Sequence, residues 1–222
     1  MSLGQRRILW FLVWLAVMLS GPVSVIRNTN FQITFSDSIL TINLAQRVFG
    51  LLAFSLLFSQ IMLGAFMGRW LQVLGAKAFR WHTTEGIATY LIILSHPFTQ
   101  VLLDFKRAGF IASLLTLLPG RDLNLNLGKV ALFLLTLGVI AGYFRTRPFF
   151  RRHWRKFHVV NYIAFLAIIL HSRNLGTDAR TPPFVWVYWI AVIAVCLTLI
   201  YKLKPKYNIF PELKSRVFTP KQ

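Results

Sequence analysis

Acidic residues are scarce in this chain. Its 222 residues hold 6 Asp and Glu against 25 Lys and Arg, and charged residues make up only 14%. A soluble domain carries about a quarter charged residues, so an ordinary water-exposed surface is excluded. The same low charge excludes a disordered chain, which needs the opposite balance. Cysteine is nearly absent. The single Cys196 removes any disulfide framework and any cysteine-based zinc or iron–sulfur centre. There is also no G-x-G-x-x-G fingerprint, no internal repeat and no hydrophilic stretch long enough for a soluble domain. What is abundant is apolar: 56% of residues are hydrophobic and 15% aromatic. A net charge of +19 would elsewhere point to nucleic acid. Here the basic residues sit between long apolar runs, so the implied partner is the lipid bilayer and no nucleic acid is expected.

A hydrocarbon core of roughly 30 Å needs about 20 apolar residues in a helix. Six segments approach this, at about Ile8–Ile26, Leu44–Phe66, Trp81–Leu103, Leu127–Phe144, Phe157–Ser172 and Phe184–Tyr201. The fifth is short, and its helix is expected to begin earlier, in the basic stretch after Pro148. Arg6 and Arg7 ahead of the first run imitate a signal peptide, but the run is long and no A-x-A-like cleavage site follows, which predicts a retained helix. The expectation is an all-α integral membrane protein, a six-transmembrane helical bundle over 1–201 followed by a basic tail over 202–222.

Basic residues alternate in density along the connections. The N-terminus, the second-to-third loop, the fourth-to-fifth loop (Arg145 to Lys156) and the tail together carry 17 of the 25 Lys and Arg. Lys and Arg concentrate in cytoplasmic loops, so both termini are expected in the cytoplasm of a multi-pass cell (inner) membrane protein. The longest connection, Asp104–Asn126, is half apolar, and its Phe110–Leu118 run is expected to lie against the outer interface.

The histidines carry the chemistry. Of five, His82 and His96 bracket the third segment, and His158 and His171 bracket the fifth. Spacings of 14 and 13 residues each correspond to about 20 Å of helix. The two segments run in the same direction, so His82 falls level with His158 on the inner side and His96 with His171 on the outer side. Ionisable or ligating side chains inside a membrane are costly and by default mark function. Two imidazoles at one level supply the two axial ligands of a six-coordinate haem iron, and two levels imply two stacked haems. Zinc or non-haem iron would need three or four converging ligands.

The 13-residue step turns the second histidine about 140° from the first on an ideal helix. Either the fifth helix is distorted, for instance by a π-bulge, or its histidines reach the haems from opposite flanks. By azimuth His153 matches His171 better, but ~27 Å of separation would carry it beyond the level of His82. It is read as a basic-loop residue.

Phe79–Pro97 (FRWHTTEGIATYLIILSHP), Trp154–His171 (WRKFHVVNYIAFLAIILH) and Arg47–Gly50 (RVFG) resemble the ferric reductase-like transmembrane domain. That family includes ferric reductases, NADPH oxidases and the haem-binding membrane subunit of the bacterial methionine sulfoxide reductase system. The resemblance covers about residues 40–201. It implies two haem b groups, with His82 and His158 as axial iron ligands of one, and His96 and His171 of the other. It also implies Arg47 as a cofactor-binding residue facing the outer haem's propionates; an interfacial arginine would look the same. Arg80, Arg155 and Lys156 are candidates for the inner propionates or ordinary positive-inside residues.

The chain departs from that family in three places. Flavin- and NADPH-binding regions follow the sixth helix in the full-length reductases, whereas here FAD or FMN would sit on a partner. Gln100 occupies the position of a further oxidase histidine, which argues against dedicated superoxide production. Ala164 followed by Phe165 replaces an aromatic between the haem levels.

Among the remaining polar groups, Glu85 is a candidate proton acceptor, a partner for Arg80 or a satisfied interfacial carboxylate. Asp104, Asp122 and Asp178 are outer-loop carboxylates, solvated or able to meet a cationic substrate. The tryptophans lie mostly near segment ends, as in an aromatic belt.

The resulting expectation is a bis-haem b transmembrane electron-transfer protein, an oxidoreductase component. Electrons would come from a cytoplasmic flavin reductase using NAD(P)H and leave to an extracytoplasmic acceptor: a ferric chelate, a periplasmic protein or oxygen. The alternatives are a quinol-linked cytochrome b subunit of a larger redox complex, or a haem-free metal transporter or assembly protein.

Overall fold

The computed structural model describes residues 1–203, so nearly all of the expected basic tail, 202–222, lies outside the described residues. The described chain is helical throughout. Its helices are α1 (Leu3–Arg27), α2 (Phe31–Ser36), α3 (Ser38–Ala65), α4 (Met67–Leu74), α5 (Lys77–Leu115), α6 (Leu123–Tyr143), α7 (Pro148–Leu175) and α8 (Phe184–Leu203), with a 3₁₀ turn at Asp178–Arg180.

Five of them, α1, α3, α5, α6 and α8, are long and apolar enough to cross a membrane. The sixth expected segment falls within α7, which is long but not among the five. Its first half carries Arg151, Arg152, His153, Arg155 and Lys156, and its apolar half is interrupted by His158, Asn161 and His171. Large apolar side chains on the outward faces, such as Phe133 and Leu197, are exposed, as a lipid-facing surface requires.

Local chemistry sets the helix ends. Ser2 and Gln5 form a capping box at the start of α1. The Asp37 and Asp122 carboxylates accept the first free backbone N–H groups of α3 and α6. Pro148 takes the first position of α7, where its missing N–H costs nothing. The helix of the fifth segment therefore does begin at Pro148. The supposed loop Asp104–Asn126 is different from expectation. The helix α5 runs on through its first half and bends at Gly109, whose φ of +83° only glycine adopts without strain. Beyond the bend Phe110, Ile111, Leu114 and Leu115 are exposed.

The long helices alternate in direction. At one end of the bundle, called here the first end, Arg7 donates from Nε to the Val73 carbonyl (2.9 Å), and Phe66 lies 6.5 Å from Tyr201. The start of α1 and the end of α8 thus share that end. α3 packs along α5 and α6 along α7, while α1 and α8 close the bundle against α3. The core sits at mid-depth, where Phe54 meets Phe165 (5.1 Å), Phe184 (5.4 Å) and Tyr188 (5.5 Å). Phe165 is fully buried there, as core packing demands.

Candidate functional site

The helices α5 and α7 do not share a packed backbone interface; each lies along its own neighbour, α3 or α6. What meets across the space between them is four imidazoles. His82 faces His158 with ring centres 6.2 Å apart and planes at 85°. His96 faces His171 at 6.2 Å and 82°. We refer to these as the first and second levels. His153 joins neither pair: its ring lies on Phe149 (5.5 Å), and its Nδ1 is 3.1 Å from the Phe149 carbonyl. Of the two alternatives for the 13-residue step, distortion of α7 is not seen, since it is one unbroken α-helix without a π-turn. The 13-residue step is accommodated with both pairs in place.

The second level is held from behind. His96 Nδ1 lies 3.0 Å from the Gln46 carbonyl, and His171 Nδ1 lies 2.8 Å from the Asn124 carbonyl. A carbonyl only accepts, so Nδ1 carries the proton in both rings and Nε2 presents its lone pair. At the first level, His158 Nδ1 approaches the Asn161 side-chain amide (3.5 Å), and the buried His82 Nδ1 has no partner among the described residues.

Four glycines complete the arrangement. Gly50 and Gly64 of α3 face His96 and His82; Gly128 and Gly142 of α6 face His171 and His158. A Cβ at Gly50 or Gly128 would stand 2.9 or 2.8 Å from an imidazole carbon, a clash. At Gly64 or Gly142 it would stand 3.4 or 3.9 Å away, ordinary contact. Sequence reasoning missed these residues, although both pairs repeat the 14-residue spacing of His82 and His96.

The donor set at each level is two imidazole nitrogens, which fits a haem, whose ring would supply the four others. Metal–imidazole bonds of about 2 Å, with roughly 1.1 Å more to each ring centre, set facing rings about 6 Å apart. Both observed separations match. Among the described residues no three His, Cys, Asp or Glu side chains converge on one point, as a tetrahedral site would require.

Arg47 sits one turn before Gly50 on α3. Its Nε and Nη2 clasp both oxygens of Asp178, at 2.6 and 2.8 Å, while Nη1 reaches only Thr29 at 3.4 Å. Asp178 also accepts from Asn28 (2.9 Å) and is only 3% exposed. Reading it as a solvated loop carboxylate is therefore incorrect. The 3₁₀ turn folds it inward, where an arginine 131 residues away compensates its charge. The pair borders a cavity of about 400 Å³ lined also by Asn43, Thr177 and Thr181. Breaking a buried pair by removing one partner costs about 3–5 kcal/mol. Asp178→Ala should cost about 3 kcal/mol in detergent thermal unfolding, since Arg47 is partly exposed, against about 1 kcal/mol for the cap variant Asp122→Ala. Equal losses would contradict this.

The other candidates resolve differently. Gln100 accepts from the Gln46 side chain and donates to Asp104 (2.9 Å), which also accepts from Thr116 (2.6 Å). Glu85 is buried and does not pair with Arg80. Its oxygens accept from Trp14 Nε1 and Gln60 Nε2, each at 2.7 Å. Arg80 is exposed at the first end. Trp10, Trp70 and Trp81 cluster edge to face at the same end. No protein-family model, curated protein or solved structure matches the chain.

Proposed function

We propose that this chain is a bis-haem b electron-transfer protein of the ferric reductase-like kind, with six membrane spans including α7. The observation that carries the proposal is the pair of facing imidazoles, at the same 6.2 Å separation, on two levels of α5 and α7. A haem held between two such rings would supply one-electron chemistry.

The chain's own residues do the rest. His82 with His158, and His96 with His171, would hold one haem per pair. The carbonyls of Gln46 and Asn124 orient the second pair and make its rings more basic. The four glycines keep α3 and α6 clear of the rings. Arg47 has donors left over beyond Asp178, suited to a propionate at the second level. The apolar helices exclude water from both levels.

The orientation follows from the basic residues gathered at the first end, among them Arg6, Arg69, Lys77, Arg151 and Arg155. That end is cytoplasmic, and so are both termini, by the positive-inside rule. Electrons would reach the first level from a separate flavin reductase bearing FAD or FMN, and leave from the second level to an extracytoplasmic acceptor.

The test is spectroscopic. Purified protein should show a low-spin b-type spectrum with two haems per chain, and a colourless protein would end the proposal. NAD(P)H with an added flavin reductase should reduce it. Salt raised to physiological strength, where the Debye length is ~8 Å, should slow that reduction at the basic face. A strict requirement for quinol would make it instead a cytochrome b subunit of a larger complex.

A further inference from the structure

We infer that Glu85 sets the direction of electron flow by holding the His82–His158 haem at a lower potential than the His96–His171 haem. This rests on the bis-haem reading.

Both carboxylate oxygens of Glu85 face N–H groups, from Trp14 on α1 and Gln60 on α3. An indole N–H only donates, and a 2.7 Å N–H···O distance is that of a charge-assisted bond. With an N–H donor on each oxygen, the anion is the form that these two bonds favour. Among the described residues its charge has no counter-ion, and the one ion pair recorded is Arg47 with Asp178.

Its position is asymmetric. Glu85 lies three residues past His82 on α5 and eleven before His96. Along the helix axis these are ~4.5 and ~16.5 Å. Gln60, which holds it, is one turn before Gly64, the glycine under His82. An uncompensated negative charge stabilises the ferric state of the nearer iron, so it lowers that potential more.

Four other charge terms must be weighed. Asp104 also has no counter-ion among the described residues, but it lies eight residues past His96, ~12 Å along the axis, against ~4.5 Å between Glu85 and His82. Arg80, Arg155 and Lys156 lie near the first level and oppose Glu85, but they are exposed at the bundle end, where water and salt screen them. Arg47 near the second level is neutralised by Asp178. The carbonyls behind His96 and His171 favour the ferric state there. They are dipoles, whose field falls off faster than that of the full charge on Glu85, so Glu85 dominates. One electron then passes downhill: the first iron goes from ferrous to ferric as the second goes from ferric to ferrous.

The experiment is a potentiometric titration of both haems, followed in the visible spectrum, in wild type, Glu85→Gln and Glu85→Asp. Wild type should show two midpoints. In Glu85→Gln the lower one should move up while the higher stays, with both haems still low-spin and six-coordinate. Glu85→Asp, which keeps the charge, should leave the lower midpoint close to wild type. Unmoved midpoints in Glu85→Gln, or an equal shift in Glu85→Asp, would overturn the assignment. If Glu85→Gln does not assemble, His82→Leu and His96→Leu decide the order. The haem left in His82→Leu should titrate at the higher midpoint and that left in His96→Leu at the lower, and the reverse order would refute the inference. Absence of haem from wild type would instead defeat the bis-haem reading itself.

Discussion

Replacing His96 by leucine should remove one of the two proposed haems and leave the other, and replacing His171 should remove the same one. His82→Leu and His158→Leu should remove the other. The pairing is dictated by the ring positions, since each histidine has one facing imidazole at 6.2 Å. A leucine fills similar volume without a nitrogen, so the iron loses one of two protein ligands while the fold keeps its packing. Haem content should fall from two to one in each single variant and stay at one in the double variant His96→Leu/His171→Leu. A further fall in that double variant would mean that the two side chains serve different haems. A starting ratio of one haem per chain would mean that one level holds none. The ratio is read from pyridine haemochrome absorbance against protein concentration.

The second large effect is expected at glycines rather than ligands. Gly50→Ala and Gly128→Ala should deplete the second-level haem, while Gly64→Ala and Gly142→Ala should leave the first level occupied. The reason is clearance. A methyl group at Gly50 or Gly128 falls 2.9 or 2.8 Å from an imidazole carbon, so the ring must move. It cannot move freely, because the Gln46 and Asn124 carbonyls hold it by Nδ1. Overpacking of this kind typically costs about 1–3 kcal/mol, roughly five-fold to over one-hundred-fold in occupancy. At Gly64 and Gly142 the added methyl makes ordinary contact. Equal haem loss across the four variants would show that a general dislike of alanine in α3 and α6 is responsible. Alanine is in fact the better helix former, which makes that outcome unexpected.

Much of the arrangement is legible from residue types and spacing. The apolar runs locate six long helices, and Pro148 marks the true start of α7. The four histidines can be paired by level from their separations along helices of known direction. Azimuth was the unreliable part. An ideal 13-residue step turns the ring well away, yet His158 and His171 both meet their partners on an undistorted helix. Where the facing helix stands relative to each ring is not encoded in spacing. The short helices α2 and α4 and the helical continuation past Leu103 were also hidden, because none has an apolar run long enough to read as a span.

The sequence by itself determined that this chain is apolar, basic and helical, and that four histidines fall on two levels. Composition and periodicity suffice for these, because they reflect transfer energies and helix rise, which are local. Only the tertiary structure decided what stands beside each polar group. Asp178 belongs with Arg47 rather than with water, Glu85 with Trp14 and Gln60 rather than with Arg80, and each histidine with its own glycine. Such partners come from helices far apart in the chain, and their choice depends on how the helices pack.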